Sequence, residues 1–350
     1  MIEQHFGPSL TVGVEEELWI LDADSLELVP GVDKLVAGAE GRNLPGVLKM
    51  ELHASVVELA TAASDDAEGA VERLRFLRRA ATEIAGENGI RVAASGSYPT
   101  SVPEEQPIAP VERYTEFVEY AGPSAKRQGV SGLHVHVGMP DADTCFRVME
   151  TILPWLPLVL ALSANSPYLA GRETGMLSMR AEVLGLLPRH GAPPAFRDYA
   201  AWEAFIERVS ATGVVREYTS YWWDVRIHPN FGTLEIRMPD QPTSLERTAS
   251  FVRVLRDMCA WAIDAPQRAF DPAERGIYAQ NRWAASRFGP HAELIHPDRN
   301  EALTVPDLAR ELPVSFDGLQ PPCEGELQLE VGRERGLQAV CADLVDRSLP

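Results

Sequence analysis

The sequence predicts an α+β fold in a single domain, 1–350, and three observations carry that reading. Runs near the N-terminus, around residue 135 and around residue 235 alternate in polarity with period two, as strands do. Other, longer stretches carry apolar residues at helical spacing and read as amphipathic helices. No repeat, low-complexity linker or shift of composition divides the chain, and one large domain can hold 350 residues. A hydrophobic content of 45% and a charged content of 24% suit a chain with a sizeable core.

In order, Leu10 to Asp22 reads as the first strand. Glu15 and Glu17 share one of its faces, and Glu16 shares the other with Val14 and Leu18. The Glu15–Glu17 pair is a candidate for a site; an exposed polar face is the alternative. Lys49 to Thr61 carries Glu51 and Glu58 seven residues apart, which on a helix is one face, though an extended-then-turned course is also open. Asp65 to Asn88 is a helix with Val71, Leu74, Leu77, Ala81 and Ile84 as its buried stripe, ended at Asn88-Gly89. Arg73, Arg75, Arg78 and Arg79 read as its solvated face. A short strand follows from Ile90, then a Pro-rich stretch, Pro99 to Pro110, with the composition of a surface loop. Arg113 to Tyr120 begins another helix.

Ser131 to Met139 is the most informative strand. Leu133, Val135 and Val137 point one way, while His134 and His136 point the other way together. Two imidazoles on one face are costly to bury unless they hold something; a solvent-facing pair is the alternative. After Asp141 the chain reads as a core helix through Val148, Ile152, Leu156 and Leu160. Its apolar run, Thr151 to Ala164, is interrupted by Pro154 and Pro157 and is too short to span a bilayer. A polar loop, Ser163 to Gly175, follows, with Arg180 and Glu182 behind it. Tyr199 to Ser210 is a helix packed through Trp202, Phe205 and Val209. Tyr221 to Asp240 reads as a hairpin turning at Pro229–Gly232, with Thr233, Glu235 and Arg237 on one face. Glu235 and Arg237 either belong to a site or pair only with each other. Ser244 to Ala265 is a long helix, Asn281 and Arg282 lie on a further helical segment, and Val305 to Leu349 is largely helical.

A net charge of −19 argues against nucleic acid and against anionic membranes as partners. Cys145, Cys259, Cys323 and Cys341 form no Cys-x-x-Cys, which excludes a zinc ribbon and gives no disulfide framework. They read as structural or incidental. The N-terminus, Met1 to Phe6, lacks the basic and apolar regions of a signal peptide, so a cytoplasmic location is expected. Carboxylates with imidazole suit hard divalent ions such as Mg²⁺ or Mn²⁺, and arginines among them suit an anionic, polyphosphate substrate. Neither a P-loop nor a Gly-x-Gly-x-x-Gly after a strand occurs, so a nucleotide here is held by metal and arginine.

Five motifs stand in order: Gly13-Val14-Glu15-Glu16-Glu17, Gly132 to Gly138, Ala164 to Tyr168 with Gly171 to Gly175, Gly232 to Asp240, and Asn281-Arg282-Trp283. Through them the chain resembles the glutamate–cysteine ligase type 2 family of bacterial carboxylate–amine ligases, distant relatives of glutamine synthetase, from Thr11 to about Gly289. The resemblance implies a glutamine-synthetase-like antiparallel β-sheet forming the active-site floor, with helices packed outside. It implies an ATP-dependent ligase that forms an amide through an acyl-phosphate, using Mg²⁺ (or Mn²⁺). It assigns Glu15, Glu17, Glu51, Glu58, His134 and Glu235 as metal ligands, with Glu51 counted beside Arg180 and Arg237 in catalysis. His136, Arg172, Arg180, Arg237 and Asn281 are implied as contacts to nucleotide or substrate. The implied partners are small amino-acid-like molecules: glutamate as the acid, and cysteine or a related amine. A homo-oligomer is admitted. The segment Ala181 to Arg189 departs from the more polar, tryptophan-containing run of many relatives, which puts the substrate in question and leaves the phosphoryl chemistry untouched. The competing readings are a metal-dependent amide or phosphate hydrolase and a non-catalytic nucleotide- or metabolite-binding relative.

Overall fold

The structure is a computed structural model and describes residues 3–215 and 217–350; Met1 and Ile2 of the stretch searched for a leader lie outside them. Among the described residues seven strands form the central sheet: β1 (Val12–Asp22), β2 (Gly46–Met50), β3 (Val56–Thr61), β4 (Ile90–Ala93), β5 (Leu133–Gly138), β6 (Val225–His228) and β7 (Thr233–Ile236). Their order is β6-β7-β5-β1-β3-β2, with β4 paired to the second half of β1, and every pairing is antiparallel.

Alternation along these strands sorts the residues onto two faces. Val14, Leu18, Val57, Leu59, Leu133, Val135, Val137, Leu234 and Ile236 are fully buried on the back face. Helices Ala67–Glu87, Ala142–Ile152 and Leu245–Asp264 pack behind the sheet and against one another. Each aliphatic side chain so buried contributes about 1.5–3 kcal/mol relative to exposure. The helix starts follow local chemistry: Asp66 accepts from the Gly69 N–H at 2.7 Å, and Asp141 from that of Thr144 at 2.7 Å. Ala142–Ser163 is 22 residues long, and 83% of its most apolar 18-residue stretch is buried within the protein, as in a core segment.

Two expectations, for Arg78 and for the Pro-rich stretch, are corrected here, and one open alternative, for Glu51 and Glu58, is decided in favour of the extended-then-turned course. Arg78 is not solvated: it is 1% exposed and grips Glu16 through Nε at 2.6 Å and Nη2 at 2.7 Å. Its position, three before Ala81 and four after Leu74, lies on the buried stripe itself. Glu51 and Glu58 are not on a helix; Glu51 follows β2, a tight turn intervenes, and Glu58 sits within β3. The Pro-rich stretch is more than a surface loop, since Pro103 and Ala109 are buried and Pro107 O accepts from Ala54 N at 2.8 Å. The four cysteines are buried and free of disulfides.

Candidate active site

The polar face of the sheet floors a cavity of about 690 Å³. Strand register sets its floor in rows. Lys49 of β2 lies opposite Glu58 of β3, and Glu58 opposite Glu17 of β1. Glu15 lies opposite His134, His136 opposite Glu235, and Glu235 opposite Arg226. The hairpin that fixes the last pair turns at Gly232, whose φ of +65° suits glycine.

Two compact donor groups result. Glu15, His136 and Glu235 each bring one ligand atom to within 4.8 Å of the others, and Glu17, Glu51 and Glu58 do the same. His136 Nδ1 meets Thr233 Oγ1 at 3.0 Å, while its buried Nε2 has no hydrogen-bond partner and a Glu15 oxygen stands 3.7 Å from it. His134, expected as a ligand, belongs to neither group: its Nδ1 lies 3.3 Å from Glu15 and 3.4 Å from the Arg237 guanidinium.

The electrostatics differ between the groups. Burial raises Glu17 to about 8, and the neighbouring Glu51 charge adds to the shift. Burial likewise raises Glu58 to about 8, helped by Glu15 and Glu51. Glu51 is raised too, chiefly by burial. For Glu235, burial works upward, but Arg226 and Arg237 overcome it and hold the carboxyl well below its usual range. Glu15 is likewise held low, against its burial, by His134 and His136. Burial and the Arg237 charge bring His134 down to about 4, so it is neutral at physiological pH.

The arginines are fixed in place. Arg226 grips Glu235 through Nε at 2.8 Å and Nη2 at 2.7 Å, and donates to Thr219 O and Tyr221 O. Arg237 donates to Glu235. Arg180 donates to Met238 O at 3.1 Å and Arg237 O at 3.0 Å. A Cβ on Gly132 would lie 2.1 Å from Arg180 Nη2, so the glycine makes room for that guanidinium.

Glu15, Glu17, Glu51, Glu58, His134, His136, Arg180, Glu235 and Arg237 all line the cavity. Arg172 and Asn281 do not. Arg172 is exposed on a two-residue strand that pairs with Leu169. Asn281 is spent on structure, its side chain exchanging 2.8 Å bonds with the Ile295 backbone. The Ala164–Tyr168 motif is also architectural: Asn165 N, Ser166 Oγ and Ser178 Oγ all donate to buried Asp240, which anchors the chain after Arg237. Sequence reasoning missed Lys49, Arg226, and the wall formed by Arg113, Phe117 and Trp222, whereas Arg189 beside them ends the segment that the sequence had already tied to the substrate. Arg226 was findable, since folding the hairpin at Pro229–Gly232 pairs it with Glu235.

The donor set suits hard divalent cations: carboxylate and imidazole atoms without thiolate, in a carboxylate cluster that repels itself when no cation is present. The antiparallel sheet with its acidic face on the cavity and helices packed behind it is the α+β arrangement expected from the sequence. The family model described as glutamate–cysteine ligase family 2 (GCS2) matches residues 11–331. A Rubrobacter xylanophilus protein provisionally named glutamate–cysteine ligase 2-3 is 37% identical over 344 residues, 95% of this chain and 92% of its own length. A Haloferax volcanii glutamate–cysteine ligase is 33% identical over 347 residues, 95% of this chain and 96% of its own. The crystal structure of a Francisella tularensis glutamate–cysteine ligase in complex with AMP shares the fold, with a TM-score of 0.71 at 15% identity over 98% of this chain and 89% of its own. The chain belongs to glutamate–cysteine ligase family 2. It is an ATP-dependent carbon–nitrogen ligase, which sets the hydrolase and non-catalytic readings aside.

Proposed function

We propose that the chain works as one catalytic unit joining glutamate to cysteine, or to a related small amine, through an acyl-phosphate. The observation that carries this reading is the pairing of two carboxylate-rich donor groups with fixed guanidiniums on one floor. Glu15, His136 and Glu235 would hold one divalent cation, Mg²⁺ or Mn²⁺, and Glu17, Glu51 and Glu58 another. Such ions, when bound, neutralise charge on the phosphoryl oxygens.

A substrate carboxylate oxygen attacks the γ-phosphorus of ATP; that bond forms as the bond to ADP breaks. The amine nitrogen then attacks the acyl carbon, phosphate leaves with the former carboxylate oxygen, and the amine gives up a proton. Arg237 supplies a guanidinium that stays charged throughout, because Glu235 outweighs its burial and keeps its pKa raised. Arg226 and neutral His134 hold Glu235 and Arg237 in place. Leu184, Leu187 and Arg189, from the segment that departs from many relatives, line the same cavity and form the wall where the amine is chosen.

Carboxyl-¹⁸O glutamate tests the route. One label is expected in the released phosphate and absent from the amide. Unlabelled phosphate, or amide formed equally well without ATP, overturns it.

A further inference from the structure

We propose that the Lys49 ammonium is a built-in occupant of the acidic floor, bridging the two donor groups until divalent cations displace it. The inference rests on the cation sites proposed above and concerns how they are loaded.

Lys49 Nζ lies 2.8 Å from Glu58, a member of one donor group, and 3.6 Å from Glu15, a member of the other. It thus links one carboxylate of each group. A carboxylate oxygen engaged by an ammonium is not free to ligate an ion, and a second cation beside the ammonium meets like-charge repulsion. Occupancy by Lys49 and full loading by divalent ions therefore oppose one another.

The other cations of the floor cannot play this part. Arg226, Arg180 and Arg237 are fixed differently from Lys49: Arg226 and Arg180 are bound to backbone carbonyls, and Arg237 is locked to Glu235. Among the described residues, the polar partners of the Lys49 ammonium are the two carboxylates alone. Its side chain is 44% exposed at the cavity, on a flexible four-carbon stem that can turn to water. Among the described residues, the floor thus has three guanidiniums held in place and one ammonium, Lys49, whose two carboxylate partners are its only anchors. That ammonium offsets part of the negative charge of Glu15 and Glu58.

The test measures Mn²⁺ binding to the full-length, nucleotide-free, metal-free protein, from the electron paramagnetic resonance signal of free Mn²⁺. Lys49→Met is expected to bind Mn²⁺ about three- to tenfold more tightly than wild type. Its metal-free form should melt lower than wild type, with the gap closing when Mn²⁺ is saturating. Lys49→Arg, which keeps the charge, should bind Mn²⁺ no more tightly than wild type. Unchanged or weaker Mn²⁺ binding in Lys49→Met overturns the proposal, as does an equal rise in Lys49→Arg. So does a variant that loses only ATP affinity, which would make Lys49 a phosphate contact. Wild-type protein that binds no Mn²⁺ overturns the cation sites themselves, so the two failures are told apart.

Discussion

Glu15, Glu16 and Glu17 are consecutive, yet the two faces of β1 treat them in opposite ways. Glu16 points backward and is completely buried. Its oxygens take Arg78 at 2.6 and 2.7 Å, Gln241 at 2.8 Å and Thr248 at 2.7 Å. Arg78 spends its remaining donors on Thr243 O at 2.8 Å and Pro242 O at 3.2 Å. Every charge there is answered from within the chain. On the cavity face, Glu17 shares its group with Glu51 and Glu58, and of the three only Glu58 has a close ion pair among the described residues, with the half-exposed Lys49 at 2.8 Å. Burial and the neighbouring carboxylates raise Glu17 and Glu58 to about 8, with Lys49 pulling Glu58 the other way. A buried charge that is fully answered holds the molecule together; a buried set answered only in part awaits a partner from outside.

Neutralising one acid on each face gives the sharpest test. Glu17→Gln should cut turnover at least about a hundredfold, while at pH 7 the metal-free protein melts no lower than wild type, because Glu17, raised to about 8, is already protonated there and the amide is a neutral substitute of the same shape. Glu16→Gln leaves Arg78 buried with a weakened partner and should cost about 3–5 kcal/mol in denaturant unfolding. If both variants lose stability alike, the contrast between the faces fails. A smaller effect is expected of Arg237→Lys, which keeps the charge but loses the fork. Turnover should fall about tenfold or more, with the melting temperature nearly unchanged. A variant with wild-type rates would show that Arg237 supplies charge alone.

The smallest effect is a pH dependence, and its sign separates the faces again. Glu17 and Glu58 titrate near 8 when folded and near 4.5 when unfolded, so between those values the folded state binds more protons. Their contribution to stability is complete below the unfolded value and is lost as pH rises through about 8. Glu15 and Glu235 are held low and His134 is brought down to about 4, so none of the three titrates between pH 7 and 9. The metal-free protein should therefore melt lower at pH 9 than at pH 7, as followed by calorimetry, and saturating Mn²⁺ should remove most of that slope. Glu17→Gln should flatten the slope and leave the Glu58 part of it; a slope as steep as wild type in that variant would place its source elsewhere.

What the sequence by itself determined is the facing of side chains. Period two along β1, β5 and β7 put Glu15 with Glu17, His134 with His136, and Glu235 with Arg237, and each pair does face the cavity. The ordered motifs determined the family, because backbone constraint and charged residues recur there at fixed spacing. The alternation says which face a residue takes, however, and nothing about which strand lies beside it. Only the tertiary structure decided that Lys49 stands across from Glu58, that His136 joins Glu15 and Glu235, and that Arg78 dives inward to Glu16, 62 residues away in sequence. Only it removed Arg172 and Asn281 from the floor, since both occur in motifs whose remaining members build scaffold. The physical reason is that electrostatic partners are set by strand register and by contacts distant in sequence, and neither leaves a periodic trace in the residues themselves.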